Sequence, residues 1–293
     1  MIKKCFFTIL SVLILTISVN AKTLKIIIPS GADGSFNTRF QVIKDALEKT
    51  WGDDLQFVYG DNCARGKTLV EKEKGPMLTL WDANFNMTEE CRFRITKKNV
   101  IAVESNYMRL CAAPGSKITR IDVTRRGVDY KVGHSTPHTA YQKWFAAYND
   151  ATGTKLSPVP YSSSGSARRG ILAGDIDLVF ISPSNSNKLM KAGGQCFYST
   201  APSGEEKHQI PALVGVASFE KATINQAYFY GAKNLSRKEI RSLQELFNDI
   251  ASGRISQYTE FAGTKDIYLV GTTSQMKPKD MVDFVDNTTR NWK

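Results

Sequence analysis

The chain has 293 residues and a net charge of +11. That length exceeds one ordinary hydrophobic core, so one large domain or two smaller ones are expected. The basic residues are scattered and occur at most as pairs, such as Lys97-Lys98 and Arg125-Arg126. They lack the alternation of arginines with aromatic residues that is typical of single-strand binding, so no nucleic-acid partner is expected. A solvated basic surface and an attraction for small anions both remain open.

The N-terminus has the pattern of an export signal. Lys3 and Lys4 precede the apolar stretch 5–19, and Val19-Asn20-Ala21 is a small-residue cleavage site. The apolar run is short for a membrane span, so we predict a signal peptide over residues 1–21, with Ala21 as the last residue removed. The mature chain is then expected in the periplasm. An uncleaved N-terminal anchor is the alternative.

Short apolar strands then alternate with helical stretches, which predicts an α/β fold with parallel sheets. Strands are predicted at 24–28, 55–59, 77–81, 100–103, 108–113 and 130–132, and in the segments that end at Tyr161 and at Phe180. Apolar residues every three or four positions predict one helix over 36–51. Ser236 and Glu239 form a capping box that opens a helix through residue 251. Further helices are predicted after Thr136-Pro137 and from about residue 279 onwards.

The loop after the first predicted strand combines glycines with hydroxyl groups. It opens a helix, whose first amide N–H groups have no partner within the helix and attract an anion such as a carboxylate. Glycines let the backbone approach a ligand closely, although tight packing alone would also explain them. The candidate ligand-binding residues of this loop are Ser30, Gly31, Ala32, Asp33, Gly34 and Ser35.

Other loops that follow strands carry similar chemistry. Hydroxyl groups in these loops either cap a helix or donate hydrogen bonds to a ligand carboxylate. Asp82 contacts an amino or hydroxyl group of the ligand, or else forms an Asx turn. The candidate residues of these loops are Asp82, Asn84, His134, Ser135, Thr136, Ser163 and Ser182.

Five segments, in this order and spacing, resemble the Bug family, the extracytoplasmic solute receptors of tripartite tricarboxylate transporters. The first segments are the glycine turn at 29–35 and the loop at 133–137. The sequence Val-Pro-Tyr at 159–161 and the strand motif at 174–180 follow, and the last segment is 229–233. The resemblance covers nearly the whole mature chain.

The resemblance implies a periplasmic-binding-protein fold of type II. In that fold two lobes, each with a central sheet flanked by helices, enclose a ligand cleft. The first domain would comprise residues 22–104 plus 226–293 and the second residues 105–225, with chain crossings near Ser105 and Asn225. A small di- or tricarboxylate or related organic acid would bind the amides of the 31–35 turn and of the 134–136 loop. Asp33 then either points to solvent or meets an amine or a second polar group on the ligand.

Such a receptor closes on its ligand and presents a docking surface to membrane subunits of the transporter. It binds and does not catalyse, so no catalytic residue, cofactor or metal is expected, and the chain is expected to be a monomer. A ligand sensor for a membrane kinase would share the same fold.

Four cysteines remain after the leader, which suggests two disulfides with three possible connectivities. The pairing Cys63–Cys91 with Cys111–Cys196 places each bond within one of the proposed domains. Buried free thiols are the alternative.

A secreted hydrolase is a rival function from another class. Residues 133–137 are close to a Gly-x-Ser-x-Gly elbow, with Ser135 as the nucleophile. Pro137 replaces the second glycine, however, and His208, downstream of Ser135, has no convincing acidic partner. His134 and His138 have the spacing of two metal ligands on a helix, but Pro137 between them starts the helix, so a metal site is not expected.

Overall fold

The computed structural model describes residues 22–52, 54–135, 139–201, 210–211, 226–265 and 268–290, which form two sheets with flanking helices. The strands are β1 Leu24–Ile28, β2 Leu55–Tyr59, β3 Met77–Asp82, β4 Val100–Asn106, β5 Arg109–Ala112, β6 Asp129–Ser135, β7 Lys155–Tyr161, β8 Leu178–Ile181, β9 Gln195–Ser199, β10 Gln226–Lys233 and β11 Tyr268–Gly271. The helices are α1 Ser35–Val42, α2 Lys44–Trp51, α3 Cys63–Lys72, α4 Thr139–Thr152, α5 Ser164–Ala173, α6 Pro183–Lys191, α7 Arg237–Ala251, α8 Ser256–Lys265 and α9 Pro278–Arg290. The predicted signal peptide, Thr136, His138 and His208 lie outside the described residues.

The first sheet has the strand order β11-β4-β10-β3-β1-β2, and the second has β7-β6-β8-β5-β9. We call these sheets with their helices the first and second lobes. Strands of the first lobe come from residues 24–106 and 226–271, and those of the second from 109–199. The predicted domain boundaries at 104/105 and 225/226 stay a prediction.

The predicted α/β class is confirmed, but the prediction of parallel sheets is only partly right. β1 is parallel to β2 and β3, and β6 is parallel to β7 and β8. In contrast, β10 runs antiparallel to β3 and β4, and β5 runs antiparallel to β8 and β9. A pattern of alternating strands and helices detects βαβ units. This pattern does not show whether a strand pairs parallel or antiparallel with its neighbours after the chain has crossed from one sheet to the other.

Two further element predictions are corrected. The helix predicted over 36–51 is broken at Ile43, whose φ of −101° and ψ of 8° separate α1 from α2. The strand predicted at 130–132 extends to Ser135, because its parallel pairing with β7 continues to Tyr161. His134 and Ser135 therefore belong to β6 rather than to a loop. Helices α3, α6 and α8 and strands β9, β10 and β11 were not predicted.

Both predicted disulfides are present. Cys63–Cys91 joins the start of α3 to a short 3-10 helix within the first lobe. Cys111–Cys196 joins the neighbouring strands β5 and β9 of the second lobe. In the described part of the chain, no helix is both long and apolar enough to span a bilayer.

A buried ion pair lies inside the first lobe, between Arg39 of α1 and Glu104 of β4. Neither side chain is exposed. Arg39 Nη1 also donates to the carbonyl of Ser35 at 3.1 Å, and the hydroxyls of Tyr230 and Tyr258 donate to Glu104 Oε2 at 3.2 Å each. Burial alone would lower the pKa of Arg39, but the negative charge of Glu104 raises it above its ordinary value, so the guanidinium stays charged.

Replacing Glu104 should therefore destabilise the protein strongly. Glu104→Gln leaves the Arg39 charge buried without its counter-charge, which typically costs about 3–5 kcal/mol. We expect a loss of that size in the free energy of unfolding, measured by urea denaturation. Glu48→Gln, which removes an exposed pair with Lys44, is the control and should cost less than about 1 kcal/mol. Equal effects of the two substitutions would contradict this account of the pair.

Candidate functional site

A narrow pocket, open to solvent on one side, lies between the two lobes. The first lobe contributes the end of β3, the start of α1 and a residue of β10 to its wall. The second lobe contributes the end of β6, α4 and the start of α5. The residues that line the pocket are Ser30, Gly34, Ser35, Phe36, Asp82, Phe85, Ser135, Tyr141, Ser163, Ser164 and Tyr228. Clefts at the carboxyl ends of parallel strands are the usual place for a ligand in such folds.

The start of α1 forms one donor-rich wall. Its N-cap is Gly34, which has no side chain with which to bond the first amide groups. The N–H groups of the first turn, at Ser35 and Phe36, are therefore available to an acceptor in the pocket. A Cβ at Gly34 would lie 2.6 Å from Ser30 Oγ and 3.0 Å from the carbonyl of Gly31. The turn thus depends on glycine for its close folding, as the sequence predicted.

The start of α5 forms the facing wall in the second lobe. Ser163 is its N-cap: Ser163 Oγ accepts from the amide of Ser166 at 3.0 Å, and Ser166 Oγ accepts from the amide of Ser163 at 2.9 Å. Ser164, in the first turn, also lines the pocket and is buried. Two helices thus begin at the same pocket, and their dipoles both favour a negative group there.

Asp82 places a carboxyl group on the wall of the first lobe. Its side chain is 1% exposed, and its Oδ1 accepts from the amide and from the side-chain Nδ2 of Asn84, at 2.9 Å each. Burial raises the pKa of Asp82 to about 7, against the opposing effect of the Asn84 hydrogen bonds and the Arg39 charge. The carboxyl group is therefore partly protonated near neutral pH.

Asp33 makes a direct contact between the lobes. Ser163 Oγ donates to Asp33 Oδ1 at 2.6 Å, and Arg169 forms an ion pair with Asp33 Oδ2. Burial alone would raise the pKa of Asp33, but the Ser163 hydrogen bond and the Arg169 charge lower it below its ordinary value. The carboxylate thus neither points simply to solvent nor lines the pocket. It binds at the start of α5, where a helix favours an anion.

The closeness of the lobes at this point requires glycine on the second lobe. A Cβ at Gly165, in the first turn of α5, would lie 2.4 Å from the backbone carbonyl oxygen of Asp33. Because that oxygen belongs to the backbone, it cannot move aside as a flexible side chain would. Gly165 therefore permits the observed separation of α5 from the 31–34 turn.

The predicted site residues fall into three groups. The residues that line the pocket are Ser30, Gly34, Ser35, Asp82, Ser135 and Ser163. Those of the glycine turn outside the lining are Gly31, Ala32 and Asp33. Three others are buried: the Asn84 side chain donates to Asp82, the His134 ring packs against Tyr141 and Phe145, and Ser182 occupies the N-cap position of α6. Ligand contact stays a prediction for all of them, and for Thr136.

Several pocket residues escaped the sequence analysis because their pattern is that of core residues. Phe36 belongs to the apolar face of α1, and Tyr228 belongs to the continuous apolar strand β10. The rings of Phe36 and Tyr228 pack edge to face, with centroids 4.8 Å apart. The remaining residues that were not predicted are Phe85, Tyr141 and Ser164. For Ser164, the position after the N-cap Ser163 was an available signal.

No protein-family model matches the chain, and no curated protein matches it either. Solved structures do match. The periplasmic binding protein BugD is 13% identical, with a TM-score of 0.74, and the match covers 92% of this chain and 95% of BugD. MatC (Rpa3494) from Rhodopseudomonas palustris, with bound malate, is 13% identical, with a TM-score of 0.69 and coverage of 92% and 97%. R. palustris Rpa4515, with adipate, is 15% identical, with a TM-score of 0.74 and coverage of 92% and 94%.

At these identities the likeness shows the fold. The chain has the two-lobed α/β fold of periplasmic binding proteins, and the predicted fold class is confirmed. The resemblance to Bug-type receptors that the five segments indicated is confirmed at the level of the fold.

Gly165→Ala should separate the lobes without unfolding them. The new Cβ clashes with the Asp33 backbone, and such overpacking typically costs about 1–3 kcal/mol. This cost arises only in the conformation in which the two lobes touch, so the substitution favours a conformation with the lobes apart. Alanine within a helix also favours helix formation, which should keep α5 intact. We expect a larger radius of gyration by small-angle X-ray scattering, with an unchanged circular dichroism spectrum. Gly75→Ala, on a turn where the nearest atom is the end of the Glu73 side chain, is the control. An unchanged radius would show that the contact does not limit the separation.

Asp82→Asn should stabilise the protein at alkaline pH. The folded pKa of about 7 lies above the unfolded value of about 3.9, so the folded state binds the extra proton between these values. Stability from this group is therefore lost as pH rises from about 4 to 7. Asparagine keeps the acceptor for Asn84 and carries no charge. We expect the variant to gain about 2–4 kcal/mol in free energy of unfolding at pH 8, and much less at pH 4.5. An equal gain at both pH values would contradict the assignment.

Proposed function

We propose that the chain is an extracytoplasmic solute-binding receptor that captures a small carboxylate for a tripartite tricarboxylate-type secondary transporter. One observation carries the proposal: α1 and α5 begin at the same pocket from opposite lobes. Unpaired amide groups and hydroxyls at two helix starts are suited to hold one negatively charged group. Charge-assisted hydrogen bonds contribute about 1.5–3 kcal/mol each, so a few of them are enough for micromolar binding after ordering costs.

The comparisons support this chemistry. MatC holds malate and Rpa4515 holds adipate, and both share the fold of this chain across more than nine-tenths of its length. The predicted signal peptide supports export to the periplasm, where such a receptor meets its ligand. The membrane subunits of the transporter would then be its partners, with the chain acting as a monomer.

We propose binding rather than catalysis. The histidine next to the candidate nucleophile, His134, lies in β6 with its ring against Tyr141 at 5.3 Å and Phe145 at 5.8 Å between centroids. It therefore takes part in the aromatic packing of the second lobe. Ser135 serves in this proposal as a hydroxyl donor in the pocket.

A thermal-shift screen against small carboxylates tests the proposal, because a ligand that binds only the folded state raises the melting temperature. We expect a rise with at least one carboxylate, equivalent to about 2.7 kcal/mol at a ligand concentration of 100 Kd. Gly34→Ala should weaken the binding of that carboxylate at least about tenfold, since its Cβ would displace Ser30 and the Gly31 carbonyl.

The control for Gly34→Ala is again Gly75→Ala, which should bind like the wild type. A Gly34→Ala variant with full affinity would place the site elsewhere. Ester hydrolysis by the wild type that Ser135→Ala abolishes would favour the hydrolase instead.

A further inference from the structure

One oxygen atom of the buried Asp82 side chain, Oδ2, receives no hydrogen bond from the described residues. Both hydrogen bonds to its carboxyl group go to Oδ1, and no donor among the described residues reaches Oδ2. The side chain is 1% exposed and lines the pocket. Asn84 Oδ1, in the neighbouring side chain, is likewise buried without a partner in the described part of the chain. A buried acceptor that lacks a donor is costly, and such atoms in a pocket indicate a donor on the ligand.

The charge of Asp82 is not neutralised by its surroundings. The titratable groups around it are Arg39 of α1, Glu104 of β4, Tyr228 of β10 and Tyr141 of α4. Arg39 forms its ion pair with Glu104, so these two charges largely cancel. At the start of α5, the Asp33 carboxylate is likewise paired with Arg169. None of the described residues that line the pocket is a lysine, an arginine or a histidine. The pocket therefore attracts a cation beside Asp82 and an anion beside the helix starts.

Aromatic rings surround the same region. Phe36 packs edge to face against Tyr228, with centroids 4.8 Å apart, and against Phe85, with centroids 6.1 Å apart. Both partners line the pocket, as Tyr141 does from the other lobe. The faces of aromatic rings attract an ammonium group and exclude water from an ion pair.

We infer that the ligand is a small amino carboxylate, bound through its carboxylate at the starts of α1 and α5 and through its protonated amine at Asp82. This inference rests on the proposed function and narrows it from carboxylates in general to zwitterions. Asp82 is then a specificity-determining residue, since a carboxylate without an amine leaves Oδ2 without its donor.

The rival within the same site is a dicarboxylate whose second carboxylate accepts a hydrogen bond from protonated Asp82. The two ligands exchange protons in opposite directions. Burial raises the pKa of Asp82 to about 7, so about half of the carboxyl groups are protonated at pH 7. An ammonium group on the ligand favours the ionised form of Asp82, so binding releases about half a proton per ligand from the Asp82 carboxyl group. A second carboxylate favours the protonated form and takes up a similar amount.

Isothermal titration calorimetry with matched pairs of compounds tests the inference. The pairs are L-aspartate with succinate, and L-alanine with propionate, each measured at pH 7 in buffers of different ionisation enthalpy. We expect one amino acid to bind at least about tenfold more tightly than its partner without the amine. We also expect proton release, with an affinity that rises between pH 6 and pH 8. Proton uptake, or equal affinity within both pairs, overturns the inference while leaving the proposed function intact. If no carboxylate binds, both are overturned.

The substitution Asp82→Asn provides an independent test of the inference. It should lower the affinity for the amino acid at least about tenfold and abolish proton release, while the compound without the amine loses no affinity. Circular dichroism and the melting temperature show that the variant folds. Asp45→Asn, an exposed acid on α2, is the matched control and should leave affinity and proton release unchanged. Full affinity for the amino acid in Asp82→Asn overturns the inference.

Discussion

The ion pair between Arg39 and Glu104 fixes the helix on which half of the pocket depends. Arg39 reaches back along α1 to the carbonyl of Ser35, the first residue of the helix, while Glu104 anchors the pair to β4, which lies between β11 and β10 in the sheet. Arg39 also lies over the ring of Tyr228, with 5.0 Å between the guanidinium carbon and the ring centroid. Burying two charges is expensive, and hydrogen bonds from Tyr230 and Tyr258 offset part of that cost. The ion pair and its hydrogen bonds hold the start of α1, and with it the wall of the pocket, in one position.

The pocket combines two electrostatic environments at short range. Helix starts supply partial positive charge through their amide groups, whereas Asp82 supplies a buried carboxyl group. The helix starts would be unfavourable for a cationic group, and Asp82 would be unfavourable for an anionic group. A molecule with opposite charges a few bonds apart satisfies both, and the aromatic rings between them reduce the competition from water. The buried acid lowers the free energy of unfolding of the ligand-free protein, because a neutral residue at this position would not carry the cost of burying a charge.

Local patterns in the sequence predicted much of this architecture. The capping box at Ser236 and Glu239, the glycine turn around Gly34 and both disulfides are confirmed. These features depend on neighbours in the chain or on a small number of possible pairings. The break at Ile43 has no such signal, because the apolar positions continue across it from α1 into α2.

Features that depend on tertiary contacts were harder to predict. The pairing of Asp33 with Ser163 joins residues far apart in the chain, so nothing near Asp33 indicated its partner. Phe36 and Tyr228 carry the pattern of core residues, and their position at a cleft follows from the way the lobes meet. The antiparallel entry of β5 and β10 is likewise a property of the fold as a whole.

The contact between Asp33 and Ser163 also sets the number of donors that the pocket can offer. A serine hydroxyl carries one hydrogen, and in Ser163 that hydrogen points to the Asp33 carboxylate, while the oxygen receives the amide of Ser166. Ser163 is thus saturated and cannot donate to a bound molecule at the same time. An aliphatic residue at position 33 would free this hydroxyl to turn inward. The range of accepted compounds could therefore widen through a change at a residue that none of them touches.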